Sequence, residues 1–304
     1  MSAALDRVNA HLLNLKAEVA AFQGGIEERR RLLDRYFAVD AAVTDYDARI
    51  VPVAFEDFSG EWILAPDSDP DDRLLYLHGG SWVAGKVEAY RPLAARLAAV
   101  TGCAVLAIDY RLAPEHAYPA GLTDAVTAFR WLREHGPGGA AAARRVTIAG
   151  DSAGANLSLA ATLMLKQQQL ALPAAVVAFA PPTDLTWASP SMQRLADRDV
   201  IINAALLPAV SAVYLGGASA TEPTVSPLFG DLEDLPPILL QVSDAEVLLD
   251  DSVRFAEAAG DRVKLEIYAQ VPHVFQGFAP LLPEAVRALE AVADFLGGGK
   301  QSGG

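Results

Sequence analysis

Residues 145 to 161 read RVTIAGDSAGANLSLAA. An apolar, strand-like run gives way to Gly150-Asp151-Ser152-Ala153-Gly154, and a helix-like run follows. The five residues form a G-x-S-x-G. A serine lifted above a sheet on so sharp a turn holds a strained backbone, and the residues two positions away on either side must be nearly free of side chain. The helix opening near Ala153 points its free N–H groups and positive dipole end at the same place. Such a setting serves nucleophilic attack by Ser152 on an acyl carbon.

Acyl transfer passes through a tetrahedral oxyanion, and fixed N–H donors aimed at that charge are worth about 3 kcal/mol each. LLYLHGGSWVAG places His78-Gly79-Gly80-Ser81-Trp82 just past an earlier strand-like run. Its two glycines let the backbone come close with its N–H groups turned inward. His78 reads as a brace for that loop rather than as a base. Of the five histidines, at 11, 78, 116, 135 and 273, the last best suits a general base. His273 follows the strand-like VKLEIYA in the short loop QVPHVFQGF. A base must share a sheet edge with the serine, and in a parallel sheet that is the carboxyl edge. An acid should lie between serine and histidine in chain order. QVSDAEVLLDD offers Asp244, Glu246, Asp250 and Asp251 there. The last two directly precede SVRFAEAAG and suit capping of that helix. Asp244 and Glu246 both remain open on these grounds.

The elements that must hold these groups follow from periodicity. RLLYLHG, AVLAIDY, RVTIAG, AAVVAFA, ILLQVS and VKLEIYA read as buried strands. RPLAARLAAV, PAGLTDAVTAFRWLREH, AGANLSLAATLMLKQQQL and DSVRFAEAAG read as helices between them. That alternation predicts a mostly parallel sheet covered on both faces. RIVPVAFED and GEWILAP predict an antiparallel start to it. Upstream, Leu5, Val8, Leu12, Leu15, Val19 and Phe22 are spaced three and four apart, one apolar stripe on a helix that Gly24-Gly25 stops. A second helical stretch, IEERRRLLDRYFAV, follows. A helix with one apolar face must lie on something, so residues 1–45 are expected to form a lid. The alternation breaks again between about 185 and 225, a stretch with helical character but no clear strand. The tail GGGKQSGG is expected to be flexible.

Composition excludes several functions. The chain has 304 residues, 52% of them apolar, and carries a net charge of −14. Nucleic acid binding needs clustered Lys and Arg, and anionic lipid repels such a surface. The single cysteine, Cys103 in GCAVLAIDY, cannot form an internal disulfide and reads as a buried strand residue. No run reaches the length of a membrane span, and Asp6, Arg7, Lys16 and Glu18 break any signal-peptide pattern. A cytoplasmic setting is expected. No His/Cys/Asp/Glu cluster has metal-ligand spacing, so neither metal nor other cofactor is expected. The expected partner is a small molecule, and a homodimer stays open.

HGGSW, DYRLAPEH, GDSAGAN and the late DD…PHVF together resemble the hormone-sensitive-lipase-like carboxylesterases, a branch of the α/β-hydrolases. YLGG and SPLFGDLEDLPP fit as well, and the resemblance runs from about residue 50 to 295. It implies an α/β-hydrolase fold, with a catalytic domain over 46–304 and a helical cap made from 1–45 and an insertion at about 185–222. The implied activity is hydrolysis of short- to medium-chain carboxylic esters through a serine acyl-enzyme. By position the resemblance makes Ser152 the nucleophile, His273 the base, and Gly79, Gly80 and Ala153 the oxyanion donors. Asp109, Tyr110 and Arg111 fall in a supporting network.

The family's pattern runs from a Pro-Pro pair through a strand to an acid, an apolar pair, one more residue and two acids. From Pro236-Pro237 that pattern lands on Glu246 where the family usually has Asp, with Asp244 two residues early. A second departure is Ser81, where the family's third glycine stands. HGG-x-W also occurs in arylformamidases, which keeps N-formyl amide hydrolysis as an alternative. A non-catalytic receptor on this fold is a further one, although such proteins typically lose the base and here Ser152 and His273 are both present.

Overall fold

The structure, a computed structural model, describes residues 2–297. Its centre is a single eight-stranded sheet. The strands are β1 (Arg49–Ala54), β2 (Ser59–Leu64), β3 (Asp69–Leu77), β4 (Cys103–Asp109), β5 (Arg145–Asp151), β6 (Val176–Phe179), β7 (Ile238–Ser243) and β8 (Val263–Tyr268). They lie in the order β1-β2-β4-β3-β5-β6-β7-β8. Only β2 runs antiparallel to its neighbours; the remaining pairings are parallel. The six strands read from the apolar runs and the antiparallel start are all present.

Helices α1 (Ala3–Ala21), α2 (Ile26–Leu33), α3 (Val87–Thr101), α4 (Ala120–Leu132), α5 (Ala153–Gln167), α6 (Leu207–Leu215), α7 (Leu249–Ala259) and α8 (Pro283–Phe295) complete the frame. Side chains alternate along β3. Leu74 and Tyr76 join the cluster that holds Leu93 and Leu97 of α3 and Leu289 and Val292 of α8. Leu75 and Leu77 join Leu122 and Phe129 of α4 and Leu157 of α5. Burial on both faces is why the central strands read as unbroken apolar runs. The sequence reading assigned no helix at α8, although Ala285, Ala288, Leu289 and Val292 follow helical spacing and are buried.

The first 45 residues are tied in more deeply than a lid need be. Leu5, Val8 and Leu12 of α1, with Phe37 and Val43, belong to the same buried cluster as Val105, Phe275 and Phe278. A Cβ on Gly277 would stand 2.1 Å from the Phe37 ring, so the close approach of these two segments needs glycine there. α2 is shorter than expected. It stops at Leu33, and hydrogen-bonded turns carry the chain to Val39. Between 185 and 222 the described elements are a short helix at Ser191–Arg194, a 3₁₀ turn at Ala204–Leu206 and α6, with no strand. Among the described residues no helix is long and apolar enough to cross a membrane. Residues 298–304 of the glycine-rich tail lie outside the described residues.

Candidate active site

Register brings the chemistry-bearing loops to one sheet edge. Leu77, the last residue of β3, pairs with Gly150 near the end of β5. Ser152 follows β5, Glu246 follows β7 and His273 follows β8. Ser152 sits at φ 51° and ψ −119°, a conformation side chains resist. Space explains both flanking glycines. A Cβ on Gly150 would stand 2.5 Å from the Gly154 backbone, and one on Gly154 would stand 2.0 Å from the Leu77 carbonyl. The Ser152 N–H donates to the Phe179 carbonyl at 2.7 Å, and α5 begins at the next residue.

Glu246 and His273 meet directly. Oε2 of Glu246 accepts from Nδ1 of His273, and Oε1 accepts from the Ser243 N–H at 2.9 Å. Both side chains are buried, at 1% and 6% exposure, so the pair is shielded from solvent. Burial lowers the imidazole's proton affinity, but the Glu246 carboxylate, helped by Asp199 and Asp151, outweighs it and holds the His273 pKa above its ordinary value. The Tyr36 hydroxyl donates to the His273 carbonyl at 2.5 Å. Among the described residues no hydrogen bond joins Ser152 Oγ to His273, although both face one cavity; such contacts commonly tighten only when substrate binds. Among the described residues Asp244 makes no hydrogen bond or ion pair with His273. Its Oδ1 accepts from the Gln270 N–H at 2.7 Å and braces the histidine's loop from outside.

The expectation that Asp250 and Asp251 cap a helix is corrected. α7 starts at Leu249, has Leu248 at its N-cap and shows no side-chain cap. Asp250 pairs with Arg194. Asp251 is fully buried, and its Oδ2 accepts from the N–H groups of Thr183 and Asp184 at 2.7 and 3.1 Å, while Ser189 donates to Oδ1. Burial pushes its pKa up to about 6. Asp251 therefore anchors the loop after β6 onto α7.

The His78–Gly85 loop lies beside the serine. His78 is a brace, with its ring stacked on Tyr110 at 4.4 Å and its carbonyl accepting from the Tyr110 hydroxyl at 2.8 Å. Asp109 accepts from the Val87 N–H at the start of α3, and Arg111 forks onto Asp124. Gly79 departs from its expected part as an oxyanion donor. Its N–H donates to Asp151 Oδ1 at 3.0 Å and so is already engaged. Asp151, the x of G-x-S-x-G, is buried and also accepts from the Tyr76 hydroxyl at 2.5 Å. Burial pushes its pKa up to about 7, against the lowering effect of the Tyr76 bond and of His273. The reading passed over Asp151, since nothing local marks a residue whose partners lie more than 70 positions away. Gly80, Ser81 and Trp82 all take positive φ, at 118°, 56° and 62°. The Val83 and Ala84 N–H groups close the turn on the Gly80 carbonyl.

Over Ser152 opens a cavity of about 230 Å³. Gly80, Ser81, Ala153 and His273 face it from the sheet edge. Val19, Leu33 and Tyr36 face it from the N-terminal segment, and Trp187, Leu207 and Val210 from the stretch after β6. Among the described residues no group of three His, Cys, Asp or Glu side chains is placed to hold a metal ion.

The chain is similar to known proteins in sequence and in fold. The model of a family described as having the alpha/beta hydrolase fold matches residues 74–277. An acetyl-hydrolase of Streptomyces hygroscopicus is 40% identical over 78% of this chain and 79% of its own. An esterase of Acinetobacter venetianus is 37% identical over 81% of each. A crystal structure of an esterase from the bacterial hormone-sensitive lipase family superposes with a TM-score of 0.86 at 36% identity, covering 97% of this chain and 98% of that one. The family match, the shared fold and the sequence relationship agree, and the chain belongs to the α/β-hydrolases, in the branch of the hormone-sensitive-lipase-like esterases.

Proposed function

We propose that this protein is a serine carboxylesterase that hydrolyses short- to medium-chain carboxylic esters through an acyl-enzyme. The observation that carries the reading is the buried bond between Glu246 Oε2 and His273 Nδ1 beside a serine held at positive φ in the same cavity. With Nδ1–H donated to the carboxylate, the lone pair of Nε2 is left to take the Ser152 proton. Ser152 Oγ attacks the ester carbon, and the oxyanion forms against the N–H groups of Gly80 and Ala153. Ser81 supplies a third N–H; among the described residues it donates to no carbonyl or carboxylate. Gly79 serves the hole indirectly, since its bond to Asp151 fixes the loop. Imidazolium then protonates the departing alkoxide. Water, deprotonated by the same histidine, releases the acid.

Residues 1–45 and 185–222 act as the cap in this reading, on a catalytic domain over 46–304. Their side chains line most of the apolar wall on which an acyl chain rests. The relatives named above are an acetyl-hydrolase and esterases, which favours ester over N-formyl amide hydrolysis. The test is labelling with a serine-directed fluorophosphonate alongside turnover of short-chain 4-nitrophenyl esters. One label per chain at Ser152 is expected, and Ser152→Ala should lose both the label and activity by about 10³-fold or more with unfolding unchanged. Retention of a tenth of the activity would remove Ser152 as nucleophile. Preference for formyl-kynurenine over esters would replace the substrate class.

A further inference from the structure

Beyond the polar groups at the sheet edge, the wall of the cavity over Ser152 is mostly apolar except at its helical side. There Lys16 of α1, Arg29 of α2 and Asn203 of the stretch after β6 line it together. Lys16 is held in place. Its ammonium donates to the carbonyls of Asp199 and Ile202 at 2.8 and 3.1 Å, leaving one of its three N–H groups uncommitted. Arg29 spends a single N–H on the Phe22 carbonyl, at 3.4 Å, and rests near the Phe22 ring. Its other N–H groups have no partner among the described residues. Asn203 accepts from the Ala205 N–H, which leaves its amide N–H₂ uncommitted.

Neither cation has a carboxylate partner among the described residues, whereas Arg30, the next residue, is paired with both Glu27 and Glu115. Among the described residues the only carboxyl group lining the cavity is Asp151, and Tyr76 and Gly79 already engage it. A chain with net charge −14 thus presents two cations without counter-ions inside the cleft over its nucleophile. A cleft shaped only for a hydrocarbon tail gains nothing from them, because charge at an apolar wall costs desolvation.

We infer that the cleft accepts esters whose acyl part ends in an anion, most simply the monoester of a dicarboxylic acid, with Arg29 and Lys16 receiving the far carboxylate while Ser152 attacks the ester carbon. The inference rests on the ester-hydrolase reading above and adds a substrate class to it. Guanidinium binds a carboxylate as a two-pronged donor, and the ammonium adds a point charge beside it. Asn203 offers a neutral N–H to the same group.

The test compares 4-nitrophenyl esters in pairs matched for chain length, one ending in methyl and the other in carboxylate, with spontaneous hydrolysis subtracted. In an apolar cleft the carboxylate member should be turned over far more slowly at every length. At the length that reaches Arg29 its kcat/KM should instead equal or exceed that of its methyl partner, and the ratio should fall as salt is added. Arg29→Gln should lower the ratio by about tenfold or more at that length, mostly through KM. Lys16→Met should lower it as well. A carboxylate member about a hundredfold slower at all lengths, or a ratio indifferent to both salt and Arg29→Gln, overturns the inference while leaving the esterase reading intact. Failure to turn over either member overturns both.

Discussion

Replacing Glu246 by glutamine separates two carboxylates that the sequence left side by side. In the structure the Glu246 carboxylate accepts from two N–H groups, those of Ser243 and His273. A glutamine amide has one oxygen to offer. If that oxygen stays on the Ser243 N–H, the N–H₂ group faces Nδ1, and the imidazole can satisfy it only by moving its own proton to Nε2. The nitrogen facing Ser152 is then a donor and cannot act as base. If the amide turns round, the buried Ser243 N–H loses its acceptor, at a cost of about 1–3 kcal/mol, and the imidazolium formed during attack still lacks its counter-charge. Together these should lower kcat by roughly 10³ to 10⁴, or about 4–5.5 kcal/mol of barrier. Asp244→Asn keeps the oxygen that accepts from Gln270, so its cost should stay under about tenfold. Saturating initial rates on a short-chain 4-nitrophenyl ester, with thermal unfolding of each variant as control, give the ranking. A larger loss in Asp244→Asn than in Glu246→Gln, both normally folded, would refute the reasoning and move the acid to Asp244.

Because Glu246 outweighs the burial that lowers its affinity, His273 should hold its proton to higher pH than usual; kcat/KM should rise with pH to a midpoint above the ordinary value of about 6.5. The raised pKa also means that the protonated pair stabilises the fold fully below the unfolded pKa and loses that contribution as pH climbs through the folded one; a midpoint well below 6.5 would contradict both statements. Gly154→Ala puts a methyl 2.0 Å from the Leu77 carbonyl in a central strand, and urea unfolding should show a loss of at least about 1–3 kcal/mol; unchanged stability would mean the elbow is looser than described. Tyr36→Phe removes the donor to the His273 carbonyl and should cost about 1 kcal/mol with a lower kcat and an unmoved pH midpoint, so a moved midpoint would show that Tyr36 acts on the imidazole's charge. EDTA should leave the rate unchanged, and inactivation that zinc reverses would contradict a metal-free mechanism.

Where a residue's task is set by its neighbours in sequence, the sequence showed it. Gly150 and Gly154 flank Ser152 in a five-residue motif that is legible by itself, although the carbonyl of Leu77 on the neighbouring strand is part of what leaves no room for a Cβ. The strands are legible because burial on both faces demands unbroken apolar runs. Glu246 needed the spacing from Pro236-Pro237, since burial and the bond to Nδ1 are invisible in a list of four acids. Asp251 was misread for the opposite reason. Acids before a helix commonly cap it, but this one reaches Thr183 and Asp184, 68 and 67 positions upstream. Gly79 was recognised as a close-approach glycine, yet the direction of its N–H is decided by Asp151 from another strand. α8 had helical spacing and was passed over. Asp199, whose Oδ2 accepts from the Val247 N–H next to Glu246, carried no local mark.

The bond from Tyr36 to the His273 carbonyl joins residues 237 positions apart. On the ribosome that distance is a delay. At about 5–20 residues per second, roughly ten to fifty seconds separate the emergence of Tyr36 from that of His273. Through that interval Leu5, Val8, Leu12 and Phe37 have no Phe275 or Phe278 to bury against. That apolar face can meet Tyr90, Leu93 and Val105 earlier, but it is fully covered only when residues 275–278 arrive. A chain that stops before the loop after β8 can form the serine elbow and the bonds of Arg30 to Val83, Ala113 and Glu115, but it lacks His273 and the Phe275 and Phe278 side of the N-terminal packing. Hydrolysis must wait for the loop after β8, and until that loop is made the apolar face of the N-terminal segment lacks one of the surfaces it packs on.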